Sequence, residues 1–529
     1  MARPQGSRFH SSRRERYGNV FKTHLLGRPV VRVTGAENIR KILLGEHTLV
    51  SAQWPQSTQI ILGSHTLLGS VGDLHRQRRK VSPAAPRRGT RPRRHLLPGL
   101  GCRWHPSPPC FNCLPLSPLL LDPGPSVQPC CPGELPPADP EARILLGLRL
   151  EEKQFKDLAK TFDQMVENLF SLPLNIPFSG LRKGIRARDM LHKYMEKAIQ
   201  EKLQSDNSED HSDALDFIIN SAKEHGKEFT MQELKESAIE LIFAAFFTTA
   251  SASTSLILLL LKHPSAIEKI RRELASHELY RQCQCYPTGP CPDSLTAQGS
   301  DRRKRLLLTT ARDACKDQSQ PPGAMEDGEP GGGCFLQPPA PPEPTSAPSS
   351  PGGGHQLEEP SWPGCRCPSD VSLEKLSRLR YLDCVIKEVL RLLPPVSGGY
   401  RTALQTFELD GYQIPKGWSV MYSIRDTHET AAIYQSPPGA FDPDRFGAAR
   451  PEAVGRFHYI PFGGGARSCI GKELAQAILK LLAIELVSTA RWELATPAYP
   501  AMQTVPIVHP VDGLQLYFRP LQPAGRSEA

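Results

Sequence analysis

From Leu241 to Leu261 the chain runs for 21 residues without a charge, LIFAAFFTTASASTSLILLLL. A helix that long and apolar belongs either in a bilayer or at the centre of a large fold. The middle of the run decides between them. Thr248 to Thr254, TTASAST, carries five hydroxyls in seven residues where a lipid-facing helix would carry hydrocarbon. The sequence therefore predicts one long helix crossing the interior of a big soluble domain. Thr230 and Glu233, in T-x-x-E order, mark its start as a capping box, in which each side chain satisfies a backbone N–H that the first turn leaves free.

Other elements are legible around it. GRPVVRVTG reads as β-structure near the start and AENIRKILL as a helix behind it. GDLHRQRRKV opens a further helix whose pattern stops at Pro83, and helical periodicity resumes near Ala142 and runs to about Leu279. Leu382, Val385, Ile386, Val389, Leu390 and Leu393 form an apolar stripe of helix period ended by Pro394 and Pro395. FELDGYQIP predicts a hairpin about Asp410–Gly411, FDPDRF a meander, and the residues after Cys469 a last helix. No internal repeat is present.

The 39% apolar fraction would support a sizeable core, but it is unevenly spread. Much of the 52 Pro and 41 Gly falls between Pro83 and Glu141 and between Tyr280 and Pro368, which read as disordered insertions in a helical pattern. Of 14 cysteines, only Cys384 and Cys469 lie outside them, so the patterned remainder looks like a reduced-compartment protein. Cys110-x-x-Cys113 has no second pair at zinc-ribbon spacing, and disorder is the plainer reading there. The charge of +9 sits in basic runs without interleaved aromatics, which argues against nucleic acid as a partner and leaves an acidic protein partner open. The opening MARPQGSRFHSSRRERYG shows no apolar signal or anchor.

Cys469 raises the chemical question. A thiolate is favoured at a helix start, where free N–H groups and the positive dipole end face it, and such a sulfur can ligate iron. Glycines let the backbone approach it, an aromatic shields it, and an Arg nearby can pair with a carboxylate of a bound group. A buried free cysteine is the ordinary alternative for one such residue. The whole stretch, FGGGARSCIG, resembles the haem-binding signature F-x-x-G-x-R-x-C-x-G of the cytochrome P-450 superfamily, matched at Phe462, Gly465, Arg467, Cys469 and Gly471. The fold this resemblance implies is mainly α with a small β-sheet region, with haem b held by Cys469 as axial ligand and metal-binding residue.

Three further places carry the resemblance. Glu388 and Arg391 look like the E-x-x-R pair, with Arg445 of FDPDRF as the third member of a structural ion network. AAFFTTAS, Ala244 to Ser251, is similar to the oxygen-binding stretch, with Thr248 in the catalytic threonine place, Phe247 in that of the usual acid and Ala245 in that of the usual Gly. Proton delivery would then run through Thr248, neighbouring hydroxyls and water. His75 and Arg79, spaced i, i+4, are propionate candidates with Arg467 and, after PPVSGGY, Arg401. Arg76, Arg78 and Lys80 would present positive charge to an acidic reductase.

Longer stretches, among them NLFSLPLNIPFSGLRKGIRARD and VIKEVLRLLPPVSGGYRTALQTFELDGYQIPKG, resemble the retinoic-acid hydroxylase branch, family 26, most of all its subfamily C. That implies 4-hydroxylation of all-trans-retinoic acid with O2 and NADPH-derived electrons from NADPH–cytochrome P-450 reductase. It also implies the cytoplasmic face of the endoplasmic reticulum membrane, although this chain shows no anchor. For a long polyene with one carboxylate, Trp54, Phe243 and Tyr400 are candidate lining residues and Arg32 the candidate anchor; core packing is the competing reading for each. The chain then divides into 1–82, the atypical insertion 83–141, the helical core 142–279, the insertion 280–369, the Cys-bearing part 370–520 and a tail, 521–529. Two other readings stay open at this point: a haem-thiolate isomerase or dehydratase needing no reductase, which Phe247 allows, and a non-enzymatic, haem-free chain with interrupted early helices.

Overall fold

The charge-free run forms most of a 32-residue helix, Met231–Lys262, and the rest of the fold is arranged around it. The structure, a computed structural model, describes residues 5–25, 27–81, 152–204, 213–224, 229–279, 371–430, 433–434, 436–448, 457–504, 507–511 and 513–521. The chain separates into a unit of Met1–Gln282 with Pro368–Ala529 and a unit of Cys283–Cys367; all that follows concerns the first. The insertions 83–141 and 280–369, with their cysteines, lie outside the described residues.

In chain order the helices are α1 (Gln5–Tyr17), α2 (Ala36–Leu44), α3 (Gln56–Leu62), α4 (Gly72–Val81), α5 (Glu152–Glu167), α6 (Gly180–Gln204), α7 (Ala214–Glu224), α8 (Met231–Lys262) and α9 (Pro264–Ser276), followed by α10 (Leu373–Arg378), α11 (Arg380–Leu392), α12 (Ile424–Thr430) and α13 (Lys472–Thr489). Strands β1 (Val20–Leu25), β2 (Arg28–Val33), β3 (Val50–Ala52), β4 (Gly398–Ala403) and β7 (Ser419–Ser423) make a five-stranded sheet in the order β1-β2-β7-β4-β3. Only β2 and β7 pair in parallel; the other pairs are antiparallel. The sheet near the start is thus completed by residues almost 400 positions later. β5 (Phe407–Leu409) and β6 (Tyr412–Ile414) form the expected hairpin, with Asp410 (φ 53) and Gly411 (φ 80) both left-handed as a tight two-residue turn requires.

α8 begins with the expected capping box: Glu233 N donates to Thr230 Oγ1 at 3.2 Å, and Thr230 N donates to Glu233 Oε2 at 3.1 Å. Its C-terminal half, Leu256 to Leu260, packs against Leu382, Val385 and Val389 of α11 and Leu479, Leu482 and Leu486 of α13. Its N-terminal half, Leu234, Ala238 and Ile239, meets Met165 of α5 and Leu191 and Met195 of α6. Each such Leu, Ile, Val or Met side chain stabilises the fold by about 1.5–3 kcal/mol. Part of the hydroxyl waist is satisfied within the protein: Thr254 donates back to Ala250 O at 2.9 Å and Ser251 donates to Val508 O, whereas the buried Ser253 hydroxyl has no hydrogen-bond partner among the described residues. A third cluster, with Val31, Val33, Ile39, Ile42, Val420 and Tyr422, joins the sheet to α2.

Candidate active site

The stretch before α13 is held at three levels. Ile460 N donates to His428 Nε2 at 2.9 Å, which places the proton of that ring on Nδ1, and Nδ1 donates to Arg391 O at 3.1 Å. Complete burial pushes the His428 pKa down to about 3, so the ring is a neutral bridge between α11 and the Cys loop. Gly463 N then donates to Ile460 O and Cys469 N to Phe462 O, both at 2.9 Å, which curls the loop back on itself. Gly465, at φ +66, passes under α2; a Cβ there would lie 2.0 Å from Leu43 O. No other residue fits.

At the end of this curl Cys469 is exposed, while Cys384, the other free cysteine among the described residues, is buried. Surrounding protein strips enough water from Cys469 to push its pKa up, against the pull of the Gly471 amide, Arg79 and Lys472. Gly471 is the residue just before α13, so the sulfur faces a helix start as the spacing requires.

The cationic candidates fall into one connected cluster. Arg79 donates through Nη2 to Ser468 O and, at 3.3 Å, to Ser468 Oγ, next to Cys469. Arg467 Nε donates to Glu46 Oε1 at 2.6 Å, and its Nη groups reach Leu68 O and Ser70 O. Arg401 Nε donates to the other oxygen, Glu46 Oε2, at 2.7 Å. His75 sits 3.2 Å from His47 through ring nitrogens, and burial, with Arg467 and His47 nearby, pushes its pKa down to about 4. Glu46 organises this cluster and was not singled out in the sequence; a carboxylate in LLGEHT carries no motif. Arg78, expected on the surface with Arg76, is instead buried and paired with Glu233 at 3.4 Å, because its face of α4 turns towards α8.

Glu388, Arg391 and Arg445 come together as a fully buried network: Arg391 Nε and Nη2 donate to the Glu388 carboxylate at 2.7 and 2.9 Å, and Arg445 Nε does so at 3.4 Å. Asp442 N adds a fourth donor at 2.9 Å. Such a group strengthens a fold chiefly by the penalty for breaking it.

On α8, Ala244 is exposed and Thr248 half-buried, one turn apart on a helix otherwise largely enclosed. Thr248 Oγ1 donates to Ala244 O at 2.6 Å. Phe247 turns the other way and stacks on Phe162 at 5.7 Å, so the acid place is filled by an aromatic packed on α5. Phe243, Ala245 and Phe247 pack in the same cluster as Leu474, five residues after Cys469. The helix bearing Thr248 and the helix following Cys469 are in direct contact. An exposed thiol and an exposed alanine flank, with arginines on the Cys side, suit a flat group bearing two carboxylates, so the donor set fits the haem that the resemblance implies.

Among the substrate candidates, Trp54 is half-buried and donates through Nε1 to Leu68 O at 3.0 Å. Tyr400 and Arg32 flank Met421 in one row across β4, β7 and β2. Arg32 does not offer a free cation: it is buried, donating to Asp426 Oδ2 at 2.8 Å and to Met421 Sδ at 3.0 Å. A strand residue opposite a helix carboxylate was invisible from the sequence.

The family model for "Cytochrome P450" matches residues 142–288 and 366–516. Cytochrome P450 26C1 of Homo sapiens is 58% identical over 525 residues, 98% of this chain and 86% of that protein. Cytochrome P450 26B1 of Rattus norvegicus is 47% identical over 97% of this chain and 83% of that protein. Among solved structures, one described as retinoic acid bound cyanobacterial CYP120A1 aligns with a TM-score of 0.67 at 26% identity, covering 98% of this chain and 95% of that one. A zebra fish cytochrome P450 with progesterone aligns at 0.61 and 15% identity, over 98% and 100% of the two chains, a likeness of fold alone.

Proposed function

The chain belongs to the cytochrome P450 family, and on that footing we propose that it is a haem-thiolate monooxygenase that hydroxylates all-trans-retinoic acid, at ring carbon 4, using O2 and electrons from NADPH–cytochrome P-450 reductase. The observation that carries the reading is the exposed Cys469 at the end of a glycine curl whose following helix packs on α8, the helix that bears the open Ala244–Thr248 flank. In this reading Cys469 would ligate the haem iron through its sulfur, and Arg467, Arg79, Arg401 and His75 would hold the propionates. Phe462 and Gly465 shape the loop around the sulfur. Glu388, Arg391 and Arg445 brace it from behind. When bound, the haem supplies reductive activation of dioxygen.

Thr248 is the group of this chain that can move a proton on the open face. Its hydroxyl rests on Ala244 O, and a turn about χ1 exchanges that acceptor for one in the open space. With Phe247 locked on Phe162, the neighbouring position on α8 offers no carboxylate, and water would complete the path. Trp54, Phe243 and Tyr400 supply apolar lining suited to a polyene, and the retinoid bound to the cyanobacterial relative supports that choice of substrate.

Membrane residence belongs to the same proposal. Between α5 and α6, Phe170, Leu172, Leu174, Ile176 and Phe178 are all exposed, Phe178 at 91%. Five large apolar side chains at alternate positions form a patch suited to lipid, and a reductase held on the same surface would meet the exposed Arg76 and Lys472.

The test is the reduced, CO-bound absorption spectrum together with retinoic acid turnover. Wild-type protein is expected to show a thiolate-type band and NADPH-dependent 4-hydroxylation. Cys469→Ala should lose both, and Thr248→Ala should keep the band while hydroxylation falls about 10²-fold. A thiolate-type band in Cys469→Ala, or peroxide turnover without NADPH in place of hydroxylation, would overturn the reading.

A further inference from the structure

The short segment between α3 and α4, residues 63–71, is tied internally through Thr66 and Ser70 and makes most of its remaining polar contacts with other elements. His65 N donates to Glu236 Oε2 at 2.7 Å. Leu67 N and Leu68 N donate to the two oxygens of Glu240 at 2.7 and 2.6 Å. Both carboxylates come from the first turns of α8 and both are buried. On the opposite side, Leu68 O accepts from Trp54 Nε1 at 3.0 Å and from Arg467 Nη1 at 3.4 Å, and Ser70 O accepts from Arg467 Nη2. Arg78 closes the segment from below, donating to Thr66 O at 3.2 Å and Ser70 Oγ at 2.7 Å. Gly63 makes room for this: at φ +93, a Cβ there would fall 2.1 Å from Glu236 Cδ.

The backbone of Leu68 is therefore gripped at its N–H by α8 and at its C=O by the Cys loop and by Trp54. That one residue connects the two walls of the proposed site to an aromatic of its proposed lining, while the Leu67 and Leu68 side chains stay half-buried rather than packed away. We infer that Glu240 is a positioning residue for the retinoid: its two backbone hydrogen bonds set where Leu67, Leu68 and Trp54 stand, and so set affinity and orientation of the substrate. This inference rests on the function proposed above. It uses a carboxylate that the motifs of the sequence do not mark.

A carboxylate grips two amides only when ionised. Burial pushes the Glu240 pKa up to about 7, opposed by the Leu68 and Leu67 amides and Arg78 and aided by Glu236. The other charged or titratable groups facing this corner are Glu233, paired with Arg78, His65 beside Glu236, and His192 of α6, which feels Glu236. Above pH 7 Glu240 accepts both bonds; below it, the added proton occupies one oxygen and one amide loses its partner. The grip loosens as pH falls.

The experiment uses haem-loaded, full-length protein with all-trans-retinoic acid as probe, and compares wild type with Glu240→Gln, which keeps the volume and one acceptor but turns N–H donors towards an amide N–H. The expected result is an unchanged thiolate-type CO band, faster amide hydrogen exchange across residues 65–70, and a retinoic acid Kd raised at least fivefold at pH 8. The ratio of the two Kd values should shrink as pH is lowered from 8 to 6, which cancels titration of the ligand itself. Equal Kd values at pH 8 with haem intact, or a ratio independent of pH, would overturn the positioning role while leaving the proposed function standing. Wild-type protein that binds haem but not retinoic acid would remove both. Should Glu240→Gln fail to take up haem, Glu240→Asp, whose carboxylate is withdrawn by one methylene, is read by the same criteria.

Discussion

Arg467 Nε donates to Glu46 Oε1 at 2.6 Å, and the other oxygen of that carboxylate accepts from Arg401 Nε at 2.7 Å. One buried acid thus holds two guanidiniums, one from the Cys loop and one from the sheet, and it also accepts from Ala52 N at 3.0 Å. Two propionate candidates are set in place before any carboxylate of a bound group arrives, with their mutual repulsion relieved.

Glu46→Ala removes that centre and leaves two largely buried cations unpaired. The expected loss of stability is about 3–5 kcal/mol, read from the urea unfolding midpoint of the apoprotein. Glu46→Gln, which keeps hydrogen bonding without charge, should fall between the two. A midpoint for Glu46→Ala equal to wild type would show that the arginines find other partners.

Gly465 is needed for both space and backbone conformation. Gly465→Ala places a methyl 2.0 Å from Leu43 O at φ +66, so the curl must open away from α2. A loss of at least about 2 kcal/mol is expected, with haem uptake reduced in proportion. Gly471→Ala, whose Cβ would meet nothing within 4 Å, is the control and should behave as wild type.

His428 makes an acid-sensitive bridge. Its folded pKa of about 3 lies below the ordinary value of 6.5, so between those values the unfolded chain binds a proton that the folded chain does not. Stability contributed by the neutral ring is complete above pH 6.5 and is lost as pH falls towards 3, at up to about 1.4 kcal/mol per pH unit. His75 and His10, both pushed down to about 4 mainly by burial, add slopes of the same sign. The difference between wild type and His428→Gln in urea unfolding from pH 7 to pH 4 isolates the bridge: the variant starts lower and declines less. Parallel curves would remove this role.

The exposed loop between α5 and α6 is predicted to bind lipid. Leu174→Asp with Phe178→Asp should lower sedimentation with phospholipid vesicles by about tenfold or more while leaving the CO band unchanged. Equal sedimentation would place membrane contact elsewhere.

Local chemistry was enough to identify much of this protein. The capping box at Thr230 and Glu233, the stripe of α11, the two-residue turn at Asp410–Gly411 and the Cys loop are each set by residues within a few positions of one another, where caps, period and turn conformation act directly. The roles of Phe462, Gly465, Arg467 and Cys469 could be proposed for the same reason. Outside the Glu388–Arg391–Arg445 group, which the resemblance implied, tertiary structure alone decided which charges meet. Arg467 with Glu46, Arg32 with Asp426, Arg78 with Glu233 and Glu240 with Leu67 and Leu68 are partners separated by 421, 394, 155 and about 170 positions. No periodicity links such pairs. A buried ion chooses its partner by proximity in a low-dielectric interior, and proximity there follows from how helices and the sheet pack, not from the local rules that favour each element.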